Sequence, residues 1–245
     1  MTAVPQLQPA QRATLDALLA GFRRAFGPDL FALYVYGAIT FPETEGVIDL
    51  DYHAILERTP TPGQIAEYVA ACYRLGTEHP PWGVDLDGWP ILRTQACGSE
   101  PPVHVIARIP DGSWALHRAH WLAGRCIVLW GPPPAEVVTA PSWAEVETDL
   151  HGELEFARRS RHDAFAVLNA CRALHSFRVT DPVQSKFGSA AWALRNLPAE
   201  HHPAIRAALA TYRGHTNEAD ARVLTRGRTP LFSLVDSQLA LRRGK

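Results

Sequence analysis

Two aspartates, Asp49 and Asp51, occupy alternate positions in a segment whose other residues are mostly apolar. Because the side chains of a β-strand alternate between its faces, both carboxylates would project from the same face. Carboxylates held this close repel each other, which favours a cation between them. Mg²⁺ binds through one or two carboxylates together with the phosphates of a substrate. The pair therefore predicts a magnesium and phosphate site, although an isolated Asp-x-Asp on a solvated strand would carry no function.

A glycine turn precedes this pair. The aromatic and apolar run Leu30–Tyr36 is typical of a buried strand and ends at Gly37-Ala38, ten residues before Asp49. A backbone without a side chain can approach a phosphate closely, so Gly37 and Ala38 are candidate nucleotide-binding residues.

The elements that must position these residues alternate between strands and helices up to about residue 140. The segment Thr61-Pro62-Gly63-Gln64 predicts a helix start, with Thr61 as N-cap and Gln64 completing a capping box. The patterns predict strands at Leu30–Tyr36, Val47–Leu56, Val84–Trp89, Val103–Ile109 and Cys126–Trp130, and helices at Pro9–Phe26, Pro62–Leu75 and Trp114–Ala123.

The second half of the chain has a different character. A proline-rich stretch from Gly131 to Pro141 is the best candidate linker, and strand signals nearly vanish after it. We therefore predict an α/β (α+β) domain with a mixed sheet over residues 1–140 and an all-α helical bundle over residues 141–245. Helical composition marks the segments Glu145–Ser160, Ala164–Phe177, Lys186–Asn196, Ala204–Tyr212, Glu218–Leu224 and Leu231–Arg242.

The segment from Leu33 to Asp51 resembles the signature of the DNA polymerase β-like nucleotidyltransferases, in which a strand, a glycine and a small residue precede Asp-x-Asp on the next strand. In that family the glycine is usually followed by serine, whose hydroxyl helps to hold the triphosphate. This chain has Ala38 instead and so lacks one hydrogen-bond donor. The resemblance implies magnesium at Asp49 and Asp51, with ATP as co-substrate.

The family also uses a third acidic residue on a neighbouring strand, as a metal ligand or as a general base. The segment Gly83–Trp89 offers Asp85 and Asp87 on one strand face. Asp87 is favoured because it lies nearer the predicted carboxyl end of its strand and beside Gly88, which would leave room for a substrate. Asp85 stays open as the alternative.

Two segments of the second half resemble the helical domain of the streptomycin/spectinomycin-type aminoglycoside adenylyltransferases. They are Leu168-Asn-Ala-Cys-Arg172 and Ser185-Lys186-Phe-Gly-Ser189-Ala-Ala-Trp192-Ala, in which Ser189 replaces an alanine of the family pattern. The resemblance implies that Arg172 and Lys186 reach the ATP phosphates. Lys186 is also the only internal lysine in an arginine-rich chain, and it stands near a predicted helix start, where the helix dipole favours an anion.

The resemblance further implies a small-molecule hydroxyl acceptor of the aminoglycoside kind, gripped by acidic residues ahead of the Arg172 helix. The matching candidates are Glu153, Glu155 and Asp163, although three arginines are interleaved with them. The alternatives are another metabolite, a protein side chain, or an inactive nucleotide-binding regulatory role, which the alanine at residue 38 would favour.

Composition excludes several other classes. The formal net charge of -1 gives no basic field for nucleic acid, and no apolar run is long enough for a membrane span. The four cysteines form no CxxC pair, so neither a cysteine zinc site nor a disulfide framework is predicted. His117 and His120 suit one helix face but lack a third ligand, so no metal site is predicted there. We expect a cytoplasmic monomer.

Overall fold

The computed structural model describes residues 6–43, 49–215 and 217–243. The chain divides into two compact units. The first extends to Pro141, and the second begins at Ser142 and also takes in Glu43.

A mixed sheet is the centre of the first unit, as the sequence predicted, and among the described residues it has four strands. Its order is β3-β2-β1-β4, with β1 antiparallel to both of its neighbours and β2 parallel to the edge strand β3. Residues 47 and 48 of the predicted second strand lie outside the described residues. The strands are β1 (Leu30–Tyr36), β2 (Asp49–Leu56), β3 (Asp85–Leu92) and β4 (Ile127–Trp130).

Helices cover both faces of this sheet because the strands alternate apolar side chains on both sides. One face carries Leu33, Val35 and Tyr52 and packs against helices α1 and α2. The other face carries Tyr34 and Ile55, which cluster with Trp121 of helix α4. The helices of this unit are α1 (Pro9–Phe26), α2 (Pro62–Glu78), the short α3 (Arg93–Ala96) and α4 (Trp114–Leu122).

The start of α2 is the capping box that the sequence predicted. The Thr61 side chain accepts a hydrogen bond from the backbone N–H of Gln64, and the Gln64 side chain accepts one from the backbone N–H of Thr61. Two of the donors that a helix start leaves unpaired are thereby satisfied.

The predicted strand at Val103–Ile109 is wrong. This segment folds back on itself, so that Val103 and Pro110 form only an isolated bridge. The amide of Arg108 bonds back to the His104 carbonyl, and Arg108 adopts a positive φ of 59°. Such a turn cannot continue a ladder. The compact loop instead turns the His104 side chain inward, where it is buried.

Five α-helices make up the second unit as far as its described residues extend. Helix α6 is its centre, since most of its residues are buried around its whole circumference. The helices are α5 (Trp143–Arg159), α6 (Asp163–Val179), α7 (Lys186–Asn196), α8 (His202–Tyr212) and α9 (Glu218–Arg243).

The last of these helices corrects the sequence prediction of two separate helices. Helix α9 runs through Gly227 and Pro230, where the sequence predicted a break. Gly227 packs so closely on Ala204 of α8 that an added Cβ would overlap the Ala204 side chain. The glycine is therefore explained by close helix packing, and tertiary contacts override the local helix-breaking signal.

Within the described part of the chain, every helix is too short or too polar to cross a bilayer.

Candidate active site

Asp49 and Asp51 lie at the amino end of β2, and both are partly exposed. Leu50 and Tyr52, which alternate with them, are buried on the opposite face. This is the arrangement that the period of two predicted. In the register of the sheet, Asp51 lies opposite Tyr36 at the carboxyl end of β1. The two carboxylates therefore lie at the end of the sheet where β1 ends and β2 begins.

Gly37 fits against one of these carboxylates. Its φ is +73°, a conformation that residues with a side chain rarely adopt. A Cβ at this position would lie 2.6 Å from Cγ of Asp51 and would overlap its Oδ2. The 3-10 turn that follows, Gly37–Thr40, contains the half-buried Ala38 and is closed by the Thr40 hydroxyl, which donates to the Gly37 carbonyl at 2.7 Å. The glycine thus lets the backbone pass directly beside the Asp51 carboxylate.

Asp85 and Asp87 lie on β3, in register with the first pair. Asp85 is opposite Asp49, and Asp87 is opposite Asp51. The structure corrects both reasons for which the sequence favoured Asp87. Strand β3 continues to Leu92, so both aspartates lie at its amino end, and both are exposed.

Gly88, next to Asp87, leaves no room for a substrate. It is buried, and a Cβ there would overlap the backbone carbonyl of Tyr52 on β2. Its role is close strand packing.

The electrostatic environment of Tyr36 links Asp87 with Asp51. Burial raises the pKa of Tyr36 well above its ordinary value, and the negative charges of Asp51, Asp111 and Asp87 raise it further. Asp87 and Asp51 thus both act on the same buried tyrosine. Four aspartates therefore lie at the amino ends of β2 and β3, which we call the acidic edge (Asp49, Asp51, Asp85 and Asp87). Such hard oxygen donors are the ligands that suit Mg²⁺.

Arg172 lies on α6 in the helical unit. Its Nη2 is 3.2 Å from Oε2 of Glu153 on α5, and both side chains are about three-quarters buried. One of the predicted phosphate ligands is therefore paired with one of the predicted substrate ligands.

Lys186 is the first residue of α7, as the sequence predicted, and Ser185 is its N-cap. Its Nζ lies 4.9 Å from the ring centre of Phe165 and 5.1 Å from that of Tyr212, whose hydroxyl is 3.3 Å away. Within the described ranges, no carboxylate pairs with this ammonium group. Its positive charge is stabilised by the two aromatic faces instead.

The start of α7 holds an acidic side chain that the sequence analysis missed. Glu43, which groups with the helical unit, accepts a hydrogen bond of 2.6 Å from the Ser185 hydroxyl. That hydroxyl in turn accepts one of 2.8 Å from the Gly188 amide. A carboxylate is favourable at a helix N-terminus, so this end of α7 already has an anion close to it.

The other two predicted substrate ligands are engaged with arginines. Glu155 is exposed and lies 3.2 Å from Arg158 and 4.0 Å from Arg159. Asp163 accepts hydrogen bonds from Arg228 at 2.7 Å and from the Thr225 hydroxyl of α9. Since each carboxylate has a cationic partner, a cationic ligand would have to compete with that arginine.

A second cluster of polar side chains lies on the α4 side of the sheet, and the sequence analysis did not find it. We call it the His-Asp cluster; its members are His53, His104, Asp111 and His117. Oδ2 of Asp111 is 2.9 Å from Nε2 of His53 and 3.0 Å from Nδ1 of His117.

The charges of this cluster follow from its burial. Burial opposes ionisation of Asp111, but the charge of His117 and the hydrogen bonds that the carboxylate accepts hold its pKa well below the ordinary value. Burial lowers the pKa of His53 to about 4, although Asp111 acts in the opposite direction.

Comparison with known proteins finds a solved structure with the same fold. A solved structure described as spectinomycin adenyltransferase AAD(9) from Enterococcus faecialis, with ATP and spectinomycin, superposes with a TM-score of 0.72. The match covers 90% of this chain and 98% of that chain, at 13% sequence identity. No curated protein sequence matches the chain significantly.

The chain therefore shares the fold of that adenyltransferase. Residues 142–226 match the family described as "Aminoglycoside adenylyltransferase, C-terminal domain". The predicted resemblance to that family is confirmed over this segment of the helical unit.

Proposed function

We propose that the chain transfers AMP from ATP to a hydroxyl group of a small molecule of the aminoglycoside-antibiotic class. The observation that carries this proposal is the acidic edge, where Asp51 lies opposite Asp87 and against Gly37. The similar adenyltransferase with ATP and spectinomycin, and the family match of the helical part, favour AMP transfer to an antibiotic. We assign residues 1–140 to the nucleotidyltransferase domain and residues 141–245 to the helical domain.

Asp49 and Asp51 would hold magnesium through their carboxylate oxygens. When bound, Mg²⁺ would neutralise negative charge on the phosphate oxygens of ATP. The spacing between these two metal-binding carboxylates is fixed, because Asp49 and Asp51 lie two residues apart on one strand. Gly37 and Ala38 would bring backbone close to the phosphates.

Asp87 is proposed as the general base, with Asp85 as the alternative. It would take the proton from the acceptor hydroxyl while that oxygen bonds to the α-phosphorus of ATP and the bond to pyrophosphate breaks. Negative charge then accumulates on the leaving pyrophosphate. Arg172 and Lys186 would stabilise this charge, and Lys186 needs to break no ion pair with a described residue in order to do so.

The acceptor would meet carboxylates that already have arginine partners. Glu153, Glu155 and Asp163 are proposed to bind its amino groups, yet their arginine partners reduce the local negative charge. An acceptor with few positive charges would suit this mixed field better than a polycationic one. We further propose that the enzyme acts as a cytoplasmic monomer.

The test is AMP transfer itself. The protein is incubated with ATP, Mg²⁺ and a panel of acceptors that includes spectinomycin and streptomycin, and each product is examined by mass for an added AMP group. Asp49→Asn should abolish transfer, whereas Asp16→Asn, an exposed aspartate on α1, should not change it. Full turnover by the Asp49→Asn variant would refute the assigned mechanism.

One observation favours a second function. Ala38 provides no hydroxyl to the triphosphate, and the nearby Thr40 hydroxyl is already bonded to the Gly37 carbonyl. A nucleotide-binding regulatory protein would need no such group. Tight ATP binding without AMP transfer to any acceptor of the panel would support this alternative, and transfer to a metabolite outside the antibiotic class would change only the acceptor.

A further inference from the structure

We propose that the His-Asp cluster is a zinc site, built from His53, His117, Asp111 and His104 and separate from the acidic edge. Three of its donor atoms, Nε2 of His53, Nδ1 of His117 and an oxygen of Asp111, lie within 4.8 Å of one another. Imidazole and carboxylate are the nitrogen and oxygen ligands that Zn²⁺ takes, whereas Mg²⁺ prefers oxygen alone.

His104 supplies an independent reason for a ligand at this place. Its side chain is about nine-tenths buried, and neither ring nitrogen has a hydrogen-bond partner among the described residues. Its Nε2 points to the same carboxylate and is 3.9 Å from Oδ2 of Asp111. A buried imidazole with two unpaired nitrogens is costly, and a metal ion would satisfy one of them.

The distances suit a tetrahedral ion. With metal–ligand bonds of about 2.0–2.1 Å, neighbouring ligand atoms of a tetrahedral site are about 3.3 Å apart. The two short separations from Asp111 Oδ2 are 2.9 Å, to His53, and 3.0 Å, to His117. They would have to widen by about 0.3–0.4 Å, and the 3.9 Å separation from His104 would have to shorten by about 0.6 Å. His104 is not among the three donors that lie within 4.8 Å of one another, so its ring would also have to move toward His53 and His117 to complete the tetrahedron.

Neighbouring groups already hold the ligands in place. The Tyr36 hydroxyl is 2.8 Å from Nδ1 of His53, and the Ser113 amide donates to Oδ1 of Asp111 at 3.0 Å. With zinc on Nε2, Nδ1–H of His53 would donate to the tyrosine oxygen, which is the outer contact that metal-bound histidines usually make. His117 is the most exposed of the ligands, so it offers a path for entry of the ion.

Four protein ligands leave no open position, so the site would be structural. The ion would link β2 to α4 and to the compact loop that precedes α4. Strand β2 is far from these two elements in the sequence. The cluster is walled by Trp114 and Trp121 on the same side of the sheet.

The experiment measures zinc content rather than activity. The full chain, without a histidine tag, is dialysed against Zn²⁺, freed of loose metal by gel filtration, and analysed by elemental mass spectrometry. We expect about one zinc per chain, and a Co²⁺-substituted protein should show the visible absorption of a tetrahedral site. Zinc content near zero would overturn the proposal.

Variants test which residues bind the zinc ion. The double variant His104→Asn/His117→Gln should lose the zinc, and His215→Asn, at an exposed histidine of the helical unit, should keep it. Asp49→Asn should also keep it, which separates this site from the proposed magnesium site. The assignment would be overturned if the double variant held as much zinc per chain as the wild type. It would also be overturned if the Asp49→Asn variant alone lost its zinc.

If the double variant does not fold, Tyr36→Phe decides the question. Removal of this outer contact should weaken zinc binding about 10–100-fold while all four ligands remain. An unchanged zinc affinity would contradict the proposed geometry.

Discussion

The contact between Gly37 and the carboxylate of Asp51 can be disturbed by adding one methyl group at residue 37. In Gly37→Ala the new Cβ would lie 2.6 Å from Cγ of Asp51, closer than real Cβ atoms come to any neighbour. The carboxylate is the flexible partner, so it would be the group that moves. Its Cγ would have to retreat by about 1 Å to reach an ordinary contact of 3.4–4 Å, and Oδ2, which the new Cβ would overlap, would have to move further.

The expected magnitudes follow from this displacement. A misplacement of about 1 Å at a reacting centre lowers the rate about 100-fold. The positive φ adds a backbone cost of about 1–2 kcal/mol for alanine. In a chain of this size, each kcal/mol lowers Tm by about 2–4 °C. Gly37→Ala should therefore remain folded, with Tm lower by about 2–8 °C, and lose about 99% of kcat.

Gly214→Ala is the matched control. Gly214 has a φ of +77°, and an added Cβ there would have no neighbour within 4 Å. It should show the backbone cost without the loss of rate. AMP transfer is measured with the best acceptor of the panel, and Tm by differential scanning calorimetry. If Gly37→Ala kept the same kcat as Gly214→Ala, the placement of Asp51 as a metal ligand beside Gly37 would be refuted.

Three further predictions concern the charge at α7 and the stability of the first unit. Lys186→Met should lower kcat/KM for ATP about 10–100-fold, because a charge-assisted contact contributes about 1.5–3 kcal/mol, and steady-state kinetics at varied ATP would show it. Thr61→Ala, which removes the cap that bonds the Gln64 amide, should lower the free energy of unfolding by about 1 kcal/mol in urea titration and leave AMP transfer unchanged. Hydrogen bonds from Gln64 and then Arg58 lower the pKa of Asp29. Its contribution to stability is thus present above the ordinary aspartate pKa and lost as pH falls through the lowered one, so the wild type's advantage over Asp29→Asn in urea should be larger at pH 6 than at pH 3.

Much of the fold could be predicted because its signals are local. Helix α1, strand β1 and the capping box at Thr61 have the bounds that side-chain period and cap chemistry indicated. The sequence predictions were wrong where contacts between residues far apart in the sequence determine the structure. The segment Val103–Ile109 has strand composition but folds back as a loop, and α9 continues through Pro230 because close packing on α8 holds it.

In the candidate site, too, local signals predict some features, whereas long-range contacts determine others. The shared face of Asp49 and Asp51 follows from the period of a strand, so the sequence alone predicts it. The position of Asp87 opposite Asp51 depends on the register between β2 and β3, which no local signal contains. The ion pair between Arg172 and Glu153 likewise depends on how α5 packs against α6.

The His-Asp cluster could not be found by spacing for a related reason. The sequence pairs His117 with His120, one turn apart on α4, and offers no third ligand. In the structure His120 packs against Phe41, whereas His117 meets Asp111 and His53, which is 58 residues before Asp111. Only the strand order brings β2 next to α4, so only the fold assembles the cluster.

Strand β2 thus places two kinds of donor side by side on one face. Asp51 provides oxygen and His53, two residues further on, provides nitrogen, about 7 Å away along the strand. Mg²⁺ and Zn²⁺ differ in their preference for these donors, so the two parts of this face would favour different ions. Tyr36 joins them, because its hydroxyl contacts His53 while its pKa responds to the charge of Asp51.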